Sequence, residues 1–425
     1  MLELIKKSLK ELGISIWEIQ ERTSQAWEFY FIKHALDQHR IRDVKHTDVT
    51  VYVGNEDGSL GNAGAEVPPF SSEEEILSIL KELKERAGYV HNKSYSLVSK
   101  STEGFVQKVD LKQISKDFIS TVQSIPEDEE KYINSYEIFV EEKRDHYINS
   151  NGVDVQNVYP SSMLEIILNA RKGNHEIELY RNYKSGTCDK DFLQKDIQKV
   201  LQQGKDRLST VPTPALEKMP ILFSNENVVT LFQYYKVQMN AQALLSGASS
   251  WKSGEEICKD VKGDKVTIQS LSKLNNSSYN ASVDQDGSAL GDCVLLEDNI
   301  PRKFIGSRRY ASYVGLEDTF IPKNYYISGG TYDEEELRKG DYLEVIEFSD
   351  FQMNPINGDF GGEIRLAYLH KDGKIISVTG GSLSDNWLNQ IQNLKLSKES
   401  TQYNDNLVPS LVLLPGAMVT GVEHE

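Results

Sequence analysis

Apolar residues recur every three to four positions at the start of the chain. Leu2, Ile5, Leu9 and Leu12, with lysines between them, predict an amphipathic helix closed near Gly13. The period then shortens. An aromatic-rich run at 26–32 and the alternation of Val49, Val51 and Val53 predict strands at 26–32 and 48–53, followed by Gly-rich turns over 55–64. Ser71 and Ser72 each stand three residues before a glutamate, a capping-box pattern for a helix running to about Arg86 and stopped by Gly88. The triple glutamate 73–75 then serves a helix N-terminus rather than a metal. From 135 to 171 the alternation returns, with strands at 136–140, 146–148, 153–158 and 163–170, the second and third joined by the turn Asn149-Ser150-Asn151-Gly152. Leu193, Ile197, Val200, Leu201 and Leu208 mark a helix over 192–208.

Pro212 and Pro214 fall in the stretch 209–219, which reads as a linker because prolines so close favour extended backbone. Beyond it, Pro220-Ile221-Leu222-Phe223 predicts a short buried strand, and Ser224 or Asn225 the cap of one long helix over 228–245. From about 260 onward short strands alternate with Gly and Asn turns. One helix is expected at 333–338, capped by Thr331 and followed by Gly340. The pattern therefore predicts an α+β chain: an N-terminal α/β-mixed domain over 1–208 and a mostly antiparallel β domain over 220–425.

Composition narrows the function classes. The chain has 425 residues, with 47 Lys and Arg against 64 Asp and Glu, a formal charge of −17. Broad nucleic-acid binding needs clustered cations, and Arg308-Arg309 is the nearest approach to a cluster. Cys188, Cys258 and Cys293 are odd in number and far apart, which fits a reducing compartment rather than a disulfide framework. The first residues offer no apolar region of signal-peptide type, and no segment approaches the ~20 apolar residues of a membrane span. A cytoplasmic protein with neither membrane nor nucleic acid as partner is expected.

The C-terminal third carries the most specific pattern. Asn357-Gly358-Asp359-Phe360, then Lys371-Asp372-Gly373-Lys374-Ile375, then Thr379-Gly380-Gly381-Ser382-Leu383-Ser384-Asp385-Asn386 stand in that order. The chain closes with the run from Val408-Pro409-Ser410 through Pro415-Gly416-Ala417 to Thr420-Gly421. With the Asn149–Gly152 turn and the Pro220–Phe223 strand, this series resembles the TldD/PmbA family, which also carries the description of a modulator of DNA gyrase. The resemblance implies a C-terminal pseudo-barrel and assembly with a second family chain.

Catalytic members of that family carry His-Glu-x-x-x-His on the helix after the Pro-x-Leu-Phe-like strand, two imidazoles holding zinc and the glutamate activating its water. Here that helix reads Asn225-Glu226-Asn227-Val228-Val229-Thr230-Leu231-Phe232-Gln233-Tyr234-Tyr235-Lys236 without a histidine, and none occurs between His175 and His370. His34 and His39 have a suitable separation, but no glutamate follows His34 and the pair lies in the other domain. His175-Glu176 leads an alternating strand, and His46, His91, His146 and His424 are scattered and read as solvated. No Gly-x-Ser-x-Gly elbow, P-loop or dinucleotide fingerprint is present. Asp189 and Asp292 beside Cys188 and Cys293 argue against a thiolate nucleophile.

No catalytic residue, metal ligand or cofactor is therefore expected in this chain. The resemblance implies a PmbA/TldE-like, non-catalytic subunit paired with a zinc-bearing TldD-like metallopeptidase, acting on unfolded or extended peptides. Asn357, Gly358, Asp359 and Phe360 are candidates for lining a peptide channel, against the alternative of a structural turn. Two other readings stay open: a stand-alone peptidase with an unrecognised site, and a non-enzymatic regulator of a topoisomerase. A homodimer is the alternative assembly for the isolated chain.

Overall fold

In the computed structural model, which describes residues 1–422, the first amphipathic segment folds as α1 (Leu2–Glu11), with Ile5 and Leu9 fully buried. Gly13 at φ +62° turns the chain out of it. His424 lies outside the described residues.

The next elements are β1 (Ile16–Ile32), β2 (Ala35–Gly54), β3 (Leu60–Glu66), α2 (Glu73–Gly88), α3 (Leu111–Gln123), β4 (Lys131–Asn149), β5 (Asp154–Lys172), β6 (His175–Ser185) and α4 (Lys190–Arg207). Their strands form one antiparallel sheet in the order β3-β2-β1-β4-β5-β6. The short strands expected at 26–32, 48–53, 136–140, 146–148, 153–158 and 163–170 are pieces of four unbroken strands of 17 to 20 residues. Charged runs such as Glu141-Glu142-Lys143-Arg144-Asp145 do not end a strand, because cross-strand partners take them up. Arg42 reaches Glu141, and the Tyr159 hydroxyl donates to Asp145 (2.7 Å).

Helices α1 and α2 cover the β1–β3 end of the sheet, where Leu80 and Leu83 meet Ile19, Val49 and Val51. Helices α3 and α4 cover the rest, with Phe118, Val122, Ile197 and Leu201 against Ile138, Leu164 and Ile166. Helix α3 is absent from the sequence reading. Its start is marked by Asp110, whose carboxylate accepts the Gln113 N–H (3.0 Å). The α2 capping box forms as predicted: Ser72 Oγ accepts the Glu75 N–H (3.3 Å), and Glu75 accepts the Ser72 N–H (2.7 Å). Ser72→Ala should cost about 1 kcal/mol, read from urea unfolding.

After α4 come β7 (Val211–Pro212), β8 (Leu216–Phe223), α5 (Asn227–Leu231), α6 (Gln233–Gln238), α7 (Ala241–Ser246), β9 (Ile268–Leu271), β10 (Cys293–Glu297), β11 (Ile300–Pro301), α8 (Arg308–Tyr313), β12 (Asn324–Ile327) and α9 (Glu334–Leu337). The chain ends with β13 (Tyr342–Met353), β14 (Asp359–Lys371), β15 (Lys374–Thr379), β16 (Ser382–Asn386), α10 (Trp387–Gln390), β17 (Lys395–Leu396), β18 (Ser400–Tyr403), β19 (Asn406–Pro409) and β20 (Val412–Thr420). Strands β13, β8, β20, β16 and β14 pair in sequence, and β14 pairs back to β13, so this sheet closes on itself. Only the β8–β13 seam in that circuit is parallel. Trp387, Phe232, Tyr235, Phe360 and Phe223 fill it. A second sheet runs β11-β10-β9-β12-β19-β18. Residues 209–219 join this architecture early, because β7 pairs with β15 and β8 begins at Leu216. The fold is α+β with a C-terminal closed, barrel-like sheet.

Two local expectations are corrected. The single helix over 228–245 is three short helices. Asn240 leaves helical geometry (ψ 134°) so that the flanking backbone can pair with Ile305, through Ala241 N–H to Ile305 C=O (2.7 Å) and Ile305 N–H to Met239 C=O (3.0 Å). The Asn240 side chain then caps Gln242 (2.9 Å). Thr331 does not cap the helix near 333. It donates to Asp264, whereas Asp333 begins α9 and its N–H is taken by Glu336 (3.0 Å).

Candidate functional site

Where β8 leaves the barrel and turns into α5, a cleft of about 1090 Å³ opens towards the N-terminal sheet. One wall is β6 with α4 beneath it; another is the β18–β19 hairpin; the floor holds Ser224 to Asn227 and part of β13. Both β6 and β18 are the last strands of their sheets. The cleft is therefore walled by two strands that each have one side without a strand neighbour.

Glu226 stands at the floor, exposed to the cleft yet crowded by its walls. That crowding raises its carboxyl above the usual range; Asp196 and Asp405 add to the effect, and Lys184 and Arg181 oppose it. Burial drives the Tyr183 phenol well above its ordinary range, and Asp196, to which its hydroxyl donates (2.8 Å), adds to the effect. Behind the hairpin, Lys236 donates to Asn406 and lies 4.0 Å from the centre of the Tyr325 ring. Burial lowers its pKa to about 8, against the pull of Asp405.

The segment where the family's His-Glu-x-x-x-His pattern is expected, Asn225 to Lys236, holds no histidine. It supplies no imidazole, and Asn225 at its start is engaged in a turn: its amide donates to Ile346 C=O, and its oxygen accepts the Asn227 N–H (3.1 Å). These residues do not fit a zinc site. Among the described residues no group of three His, Cys, Asp or Glu side chains is placed to hold a metal ion. His34 lies in the β1–β2 turn, 3.1 Å from Glu127, while His39 stacks on Phe29. His46, His91 and His146 each sit beside a single carboxylate.

Cys188 is pushed up to about 11, as a poor nucleophile requires. Burial is the main cause, whereas Asp189 contributes little. Cys293 is likewise raised chiefly by burial.

Asn357, Gly358, Asp359 and Phe360 form the turn that opens β14. Gly358 has φ +85°, Asn386 donates to Asn357 C=O (2.9 Å) and to Asp359 (2.8 Å), and Phe360 is buried in the barrel. None of the four lines the cleft. The cleft's own walls escape the sequence reading. β6 is legible as a strand, but its position at the sheet edge depends on pairings distant in the chain.

Residues 216–421 match the model of the PmbA/TldA metallopeptidase C-terminal domain. The chain belongs to the TldD/PmbA family. It is 23% identical to an uncharacterised protein of Methanocaldococcus jannaschii over 290 residues, 64% of this chain and 65% of that one. It is 22% identical to the metalloprotease TldD homolog of Buchnera aphidicola over 167 residues, 36% of this chain and 35% of that one. The matches thus span less than two thirds of either curated relative. In fold it is similar to TldE from Thermococcus kodakarensis, with a TM-score of 0.80 and 18% identity over 99% of this chain and 100% of that one. No helix among the described residues is long and apolar enough to cross a membrane.

Proposed function

We propose that the chain is a non-catalytic, TldE-like subunit that joins a zinc-bearing TldD-like chain and forms half of a channel for extended peptides. The observation that carries the reading is the floor of the cleft. The segment that forms it and runs on to Lys236, where the zinc motif is expected, holds no histidine, and its Asn225 is tied into a turn. The outer edges of β6 and β18 support the peptide part: an extended segment bonds a strand edge through its backbone, largely independent of its sequence. Asn357 and Asp359 are exposed and belong to this reading only if the partner completes a second stretch of channel over them. The three free cysteines support a cytoplasmic setting.

The test is to purify the chain alone and together with a TldD-like chain from the same genome, then measure zinc content and cleavage of an unfolded peptide. The expected result is neither zinc nor cleavage for the isolated chain, and both for the pair. Cleavage by the isolated chain would overturn the reading in favour of a stand-alone peptidase. Selective co-purification of a topoisomerase subunit, with no family chain, would overturn it in favour of a regulator.

A further inference from the structure

We infer that the cleft selects its peptide: a basic side chain, lysine or arginine, sits among Asp196, Glu226 and Asp405, while Gln203 holds the peptide's main chain. The inference rests on the peptide reading above and names the class of peptide.

The three carboxylates come from separate elements that meet only in the cleft: Asp196 from α4, Glu226 from the turn before α5, and Asp405 from the turn between β18 and β19. They share two phenols. Asp196 accepts the Tyr183 hydroxyl (2.8 Å), and Tyr403, raised first by burial, is raised further by Asp196 and Glu226. None of the three forms an ion pair among the described residues, and burial raises both Glu226 and Asp405.

The cations of the cleft do not answer this group. Arg181 (3.6 Å) and Arg207 (3.8 Å) both stand at Glu347. Lys236 is behind the hairpin on Asn406. Lys199, three positions from Asp196 on α4, pairs with no carboxylate among the described residues. The charge of Lys184 favours the ionised forms of Glu226 and Asp405, yet it forms an ion pair with neither. Like charges gathered in a half-dry cleft oppose one another, and a visiting cation relieves all three at once. That cation is not a metal ion, since no three such groups are placed to hold one among the described residues. A guanidinium or ammonium on its own apolar stem reaches such a spread of acceptors without bonding all of them from one point.

A second, independent feature points to a peptide main chain. Gln203 is 6% exposed and lines the cleft, and its side-chain amide has no hydrogen-bond partner among the described residues. A buried amide without partners is unfavourable, and an extended peptide offers it a carbonyl and an N–H together. Gln203 follows Asp196 by two turns on the same face of α4, a separation of about 10 Å, or three residues of extended chain. A peptide lying along α4 therefore brings its basic side chain to the carboxylates and its backbone, about three residues away, to Gln203.

The test titrates the full chain with unfolded peptides capped at both ends and identical except for one arginine or norleucine. The arginine peptide should bind roughly tenfold tighter, and the gap should narrow at high salt. Glu226→Gln should remove most of that preference, leave the norleucine peptide unaffected, and leave the melting temperature of the chain unchanged or higher. A structural role for Glu226 would lower the melting temperature instead. Lys184→Met should strengthen binding of the arginine peptide, and Gln203→Met should weaken both peptides alike. Equal binding of the two peptides by the natural chain, or a full arginine preference in Glu226→Gln, would overturn the inference while the peptide reading stands. If the natural chain binds neither peptide, both fall.

Discussion

Arg338→Ala is expected to destabilise the protein by about 1–3 kcal/mol at neutral pH, measured by urea unfolding, and by less at pH 4, because Glu344 is buried while Arg338 is itself exposed. Arg338 grips Glu344 through two hydrogen bonds (2.7 and 3.1 Å), and Glu344 is 7% exposed. Burial alone would raise the Glu344 carboxyl, but the Arg338 guanidinium outweighs it and holds the group below its ordinary value. His370, 3.8 Å away, does not replace the guanidinium, because burial keeps its own pKa low.

A carboxyl with a depressed folded pKa adds stability that is complete above its unfolded value, about 4.5, and is lost as pH falls through the folded one. Without Arg338 the buried carboxylate is uncompensated wherever it is ionised. The deficit is therefore largest at neutral pH and shrinks as Glu344 protonates. Arg338→Met combined with Glu344→Leu should recover most of the loss, since the buried member of the pair then carries no charge. The pair matters to the site because Glu344 lies opposite Leu222 on the β8–β13 seam, two residues before β13 reaches the cleft floor.

The fold was legible wherever a local signal sufficed. Ser72 and Glu75 specify a cap within four residues, and Asn149 to Gly152 specify a reversal because Gly152 accepts φ +85°. Sequence reading fails where a distant partner overrides local preference. Asn240 breaks a helical pattern to pair with Ile305, 65 positions away, and the polar middle of β4 stays extended because β1 and β5 flank it. The site suffers more from this than the fold does. The cleft brings together Tyr180, Glu226, Glu347 and Asp405, and nothing local in any of the four segments announces the other three. What could be read directly was the lack of any imidazole from Asn225 to Lys236. That fact restricts the chemistry of the site but says nothing of its shape.

Gly287→Ala is expected to cost roughly 2–4 kcal/mol and, on the proposed subunit reading, to lower peptide cleavage by the pair. Gly287 has φ +73°, and a Cβ there would stand 2.2 Å from the Tyr147 ring. Tyr147 cannot easily yield: it is 4% exposed, donates its hydroxyl to Glu18 (3.0 Å) and accepts from Asn149 (3.2 Å). The loop that carries Gly287 docks on the N-terminal sheet. Val283 packs with Val98, Val153 and Val155, and the Ser282 N–H donates to Asn157 (2.9 Å). Gly58→Ala is the control, since Gly58 has φ +80° but nothing within 4 Å of the added atom. It should lose only the ~1–2 kcal/mol of a left-handed alanine. Any excess at 287 then measures the contact with Tyr147. The same loop reaches the cleft at Asn275, Asn276 and Tyr279, and Asn276 accepts the Thr187 N–H (2.7 Å) at the end of β6. Lifting the loop off Tyr147 should therefore loosen the wall beside the open strand edge. Gly287→Ala should reduce cleavage by the pair even at temperatures where the chain stays folded, and Gly58→Ala should not. Equal cleavage by the two variants would show that the loop supports the fold without shaping the cleft.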